Sequence, residues 1–119
     1  MQTWDLIEIQ APDGMRDPVV LHSGDEGRAV MIRLDPGQVL GEHQVKEHAF
    51  IVVVEGRVRI GRGEGAVDAG PGTLALFEPD ERREISSAQG ARLLMLLSPW
   101  PGEGHYRGGD APTRLRESA

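Results

Sequence analysis

Apolar residues recur along this chain in short runs, punctuated by glycine, proline and acidic residues. Trp4 to Ile9 reads as a first strand and Val19 to His22 as a short second one. Ala29 to Leu34 is strongly apolar and stops at Asp35-Pro36-Gly37, where proline pre-sets φ and glycine can take a positive φ. Val39 to His43 follows, then the continuous apolar run Ala49 to Val54. Glu55-Gly56 makes a tight turn into Arg57-Val58-Arg59-Ile60, whose alternation puts Val58 and Ile60 on one face. Gly61 to Gly65 reads as a hairpin tip, followed by Ala66 to Ala69, Thr73 to Phe77, Arg83 to Ser86 and Arg92 to Ser98. No window carries a convincing helical period. Short strands spaced by turn signals predict an all-β sandwich or barrel.

Two runs, Ile51 to Val54 and Leu93 to Leu97, are apolar on both faces. One face can line a barrel interior, and the other must be covered as well. We therefore expect a homodimer packed sheet on sheet, because a chain of 119 residues has little to spare as a lid. The alternative cover is the chain's own loops and N-terminal strand. The length predicts one domain, 1–98, followed by a Gly/Pro/Arg-rich tail, 99–119, with Trp100 and Tyr106 to anchor it on the body or on a partner.

Composition narrows the setting. The 16 glycines and 8 prolines are spread as punctuation, so they mark turns. With no cysteine there is neither a disulfide framework nor a thiolate nucleophile or ligand, which fits a reducing, cytoplasmic setting. Met1 to Asp5 shows no basic start and no apolar run, so no signal peptide is expected, and no run approaches the length of a membrane span. A net charge of −6 without a basic stripe argues against nucleic acid as a partner.

Within this pattern, Pro36 to Gly56, PGQVLGEHQVKEHAFIVVVEG, resembles the first motif of the cupins. Gly37, His43 and Gly56 fall on that pattern, with the step of thirteen residues from His43 to Gly56 matching without a gap. Gly70 to Ile85, GPGTLALFEPDERREI, resembles the second motif. The resemblance spans about residues 29–98 and implies a double-stranded β-helix, or jelly-roll barrel. In metal-binding cupins two histidines and a glutamate of the first motif meet a histidine of the second. Carried over, those positions are His43, Val45, Ala49 and, within one residue, Arg83. Valine and alanine donate nothing, and a guanidinium stays protonated, so the resemblance implies that the usual site is dismantled.

The candidate ligand contacts are then His43 as a polar group inside an apolar pocket walled by Val45, Ala49, Ile51, Val58, Leu74 and Leu76. Arg83, if it points inward, would recognise a carboxylate. A rebuilt metal site from His43, Glu47 and His48 requires a bend, because neighbours on a strand face opposite sides. A solvated rim is expected there instead. The leading expectation is a module without a cofactor that binds a small, mostly apolar or carboxylate-bearing molecule. A divalent transition metal held by His43 with His48, Glu42, Glu47 or His105 would make a cupin enzyme of dioxygenase or isomerase type. A third possibility is a structural or regulatory dimerisation module.

Overall fold

The computed structural model describes residues 1–9, 18–43, 45–61, 63–102 and 115–117, with the side chains of 42, 43, 83 and 115–117 left aside. Ten strands follow one another among the described residues. They are β1 (Val19–Gly24), β2 (Gly27–Leu34), β3 (Gln38–His43), β4 (His48–Gly56), β5 (Val58–Ile60), β6 (Val67–Ala69), β7 (Leu74–Phe77), β8 (Arg83–Ser86), β9 (Ala91–Ser98) and β10 (Leu115–Glu117). They form two five-stranded sheets, β1-β2-β9-β4-β7 and β10-β3-β8-β5-β6, with antiparallel pairing throughout. The one helical element among the described residues is a 3-10 turn, Gly63–Gly65, at the hairpin tip between β5 and β6. No helix among the described residues is long and apolar enough to cross a membrane.

Period-two alternation fixes which side of each strand faces in. Along β9, Ala91, Leu93, Met95 and Leu97 are buried while Arg92, Leu94, Leu96 and Ser98 are not. Ala49, Ile51 and Val53 do the same on β4, and Val30, Ile32 and Leu34 on β2. Leu40, Val58, Ile60, Ala69 and Ile85 close the core from the second sheet. Each large side chain so buried contributes roughly 1.5–3 kcal/mol, an upper figure because unfolded chains already hide some surface.

The two ends of the barrel differ. At one, β4 and β9 finish at the pair Gly56 and Ala91. Ser87 stitches this Gly56 end: its Oγ donates to the Arg57 carbonyl at 2.7 Å and accepts the Gly90 N–H at 2.9 Å. The Gly37 N–H donates to the Ser87 carbonyl at 2.8 Å. At the other end, Arg28, Leu97, Ala49 and Phe77 stand side by side across four strands. Beyond them lie Val45, Glu47 and the segment Trp100–Gly102.

Two expectations are corrected here. Residues 4–9 do not form a strand. The Asp5 carboxylate accepts the N–H groups of Ile7 and Glu8 at 3.1 and 3.3 Å, curling the segment into a turn. An aspartate that bonds the backbone just ahead of itself competes with sheet pairing. This turn lies against the outside of the first sheet, where Arg92 Nη1 donates to the carbonyls of Leu6, at 3.2 Å, and Ile9. Leu74 and Leu76 do not line the interior: they are 62% and 45% exposed on the outer side of β7, and Ala75 and Phe77 face in.

Candidate functional site

The sequence-derived site residues divide between places. Ala49, with no exposure, faces inward beside Leu97 and Phe77 at the Trp100 end, and the half-buried Val45 packs on the same core. Ile51, one inward step deeper on β4, is wholly enclosed by core side chains. Val58 follows the Gly56 turn and sits at the opposite end of the barrel, so it is not brought together with Val45 and Ala49. His43 and Arg83 are register partners of β3 and β8, which places their backbones opposite one another. Their side chains, that of Glu42 and the whole of His105 lie outside the described residues.

Glu47 is the main correction to the expected rim. It is 1% exposed, and its Oε2 accepts the Gly102 N–H at 2.6 Å. That bond fixes Trp100–Gly102 against the end of the barrel, with Trp100 packed on the core. A charged acceptor makes this a stronger bond than an ordinary amide pair. His48 points the other way, exposed, with Nε2 3.2 Å from Glu78. Glu47, in the bend just before β4, and His48, the first residue of β4, thus turn to opposite sides. Lys46 and Asp80 pair at 2.7 Å, and the Asp80 N–H donates to the Val45 carbonyl at 2.8 Å, which ties the Pro79-Asp80 turn to this end.

A further residue belongs to the site that sequence reasoning passed over. Arg28 is opposite Leu97 in the register, and alternates with Val30, Ile32 and Leu34, so its side chain starts on the inward face. Its guanidinium carbon lies 4.5 Å from the Trp100 ring centroid, a cation–π contact. Its Nε is buried and has no hydrogen-bond partner among the described residues, an arrangement that ordinarily costs about 1–3 kcal/mol. The signal was available: counting back by two from Val30 reaches Arg28.

Of the four positions that the cupin resemblance implies as metal donors, Val45 and Ala49 hold no lone pair to give, and the side chains of the other two, His43 and Arg83, lie outside the described residues.

Two antiparallel sheets enclosing an apolar interior, with side chains gathered at one end, define the class: this is a cupin barrel. The chain belongs to the AraC-like ligand binding domain family, whose sequence profile matches residues 30–99. The fold is similar to that of an RmlC-like cupin protein from Desulfovibrio desulfuricans, at TM-score 0.72 and 21% identity over 83% of this chain and 97% of that one. It is similar over 98% of both chains to a conserved protein with a double-stranded β-helix domain from Klebsiella pneumoniae, at TM-score 0.69 and 17% identity. The EutQ protein of Clostridium difficile matches at TM-score 0.60 and 15% identity, over 69% of this chain and 61% of that one. No protein of curated function matches the sequence significantly.

Proposed function

We propose that this protein is a cytoplasmic binding module that takes a small organic molecule at the Trp100 end of its barrel without the usual cupin metal. The reading is supported by the pair Val45 and Ala49, apolar at positions where the cupin resemblance implies metal donors, in a family described by ligand binding. The half-buried Val45 and Trp100 present an apolar surface there that suits a hydrocarbon body. Native mass spectrometry and elemental analysis of protein purified without added metal test this. The expected result is a specifically retained organic mass, or one acquired from a metabolite extract, with metal far below one per chain. Stoichiometric iron, manganese, nickel or zinc would overturn it in favour of the metalloenzyme reading.

The working unit in this proposal is a homodimer. On the outside of the first sheet, Phe50 lies between Leu96 and Leu76, and Val52 lies between Leu94 and Leu74. Leu74, Leu76 and Leu96 are 62%, 45% and 39% exposed. Among the described residues the N-terminal turn is bonded to this face at Arg92. A contiguous apolar face that a two-fold axis can set against itself supports a second copy as its cover. Sedimentation should give a dimer for the wild type and a monomer for Leu76→Lys. A wild type that sediments as a monomer refutes the dimer and leaves the ligand reading standing.

A further inference from the structure

An arginine on the inward face of a barrel is costly to strip of water, and Arg28 is half-buried there with no ion pair among the described residues. The guanidinium stays protonated at any physiological pH and carries five N–H donors. Among the described residues none forms a hydrogen bond or an ion pair with it, and it lies over the face of Trp100 at 4.5 Å. Glu47 shares this end of the barrel, where its Oε2 accepts the Gly102 N–H. That same bond holds the Trp100 segment in place, so the ring and the cation are positioned before anything binds. Buried donors in native proteins are matched, and a planar cation stacked on an aromatic ring keeps its in-plane donors for a planar anion.

We propose that Arg28, backed by Trp100, is the receptor for the carboxylate of a small organic acid. This rests on the reading that the Trp100 end binds a small molecule. It adds the chemical class of that molecule and the residue that selects it. The carboxylate offers two oxygens to the guanidinium fork, while the half-buried Val45 and Trp100 flank the hydrocarbon part. The role that the sequence suggested for Arg83 passes to an arginine on the opposite sheet, immediately before the apolar run of β2.

The test compares acids with their neutral counterparts on the full chain. Benzoate and octanoate are titrated against benzamide and octanamide, with the Nε–H resonance of Arg28, identified by its loss in Arg28→Gln, followed by 15N NMR. The acids are expected to bind at least about tenfold more tightly than the amides, the arithmetic of one charge-assisted hydrogen bond. They should move the Arg28 resonance, and Arg28→Gln should abolish the preference. If amides bind as tightly as acids, or the preference survives in Arg28→Gln, the carboxylate assignment falls while the ligand reading stands. If no member of either series binds saturably, both fall. Should Arg28→Gln not fold, the acid-to-amide ratio and the Arg28 resonance in the wild type decide the matter.

Discussion

Replacing Gly56 by alanine should destabilise the barrel more than any single methyl group ordinarily does. Gly56 ends β4 with φ +80°, a backbone conformation that a side chain disfavours. Holding a non-glycine residue there costs of order 1–3 kcal/mol. A second effect adds to the first. A Cβ built on Gly56 would stand 2.2 Å from the Gly90 carbonyl oxygen and 2.8 Å from the Ala91 Cα, both backbone atoms where the adjoining strand begins. Neither can swing away as a side-chain tip could, so β4 and β9 must part at their last pair. Gly37→Ala supplies the internal control. Its φ is +84°, yet no atom lies within 4 Å of the added Cβ, so it reports the conformational cost alone. We expect Gly37→Ala to lose about 1 kcal/mol, near the low end of that strain. Gly56→Ala should lose about 3 kcal/mol or more, a large share of the 5–15 kcal/mol that holds a typical domain together. Urea unfolding followed by far-ultraviolet circular dichroism measures both, with the Tm difference expected to exceed about 5 °C. Equal losses for the two variants would refute the steric argument and leave only the φ argument.

Two further outcomes follow from other contacts. Glu47→Ala removes the acceptor of the buried Gly102 N–H and should cost about 1–3 kcal/mol, whereas Glu47→Gln, which keeps an acceptor, should cost less. In a Trp4→Phe background the Trp100 emission should shift to the red in Glu47→Ala only, and an unchanged spectrum would show that the segment is held by other means. On β1, the hydrogen bond from His22, at 2.8 Å, holds the Glu26 carboxyl below its ordinary range. A carboxylate lowered in the folded state stabilises it above the unfolded pKa, and that contribution fades as the pH falls through the folded value. NMR titration should find the Glu26 carboxyl back in its ordinary range in His22→Ala, and an unmoved titration curve would disprove the coupling.

Much of the barrel was legible because its strands are short, bounded by turn residues and rich in β-branched side chains. The runs Ala29–Leu34, Ala49–Val54 and Arg92–Ser98 all lie within strands of the first sheet. What failed has specific physical reasons. Leu74-Ala75-Leu76-Phe77 carries no polar residue to mark its outer side, so the period alone does not say which pair faces in. The answer comes from pairing with β4, where Ala49 faces Phe77. Trp4–Ile9 has strand-like composition, but Asp5 turns it through local hydrogen bonds that composition does not register. Glu47 looked like a solvated rim because its partner, the Gly102 N–H, is 55 residues away and belongs to the backbone. Arg28 was missed for the opposite reason. It borders an apolar run and so resembles a boundary charge, yet its parity matched the core throughout.

The serine seam gives the barrel two unlike extremities. At one, main-chain groups from three separate turns converge on Ser87, so the frame there is locked by bonds that any set of neighbouring side chains would leave intact. At the other, the shape depends on a few side chains and a single tethered strap. Such a division separates scaffold from specificity. A protein engineer could re-aim the recognition surface by exchanging residues around Trp100 while the foundation keeps the sheets in register.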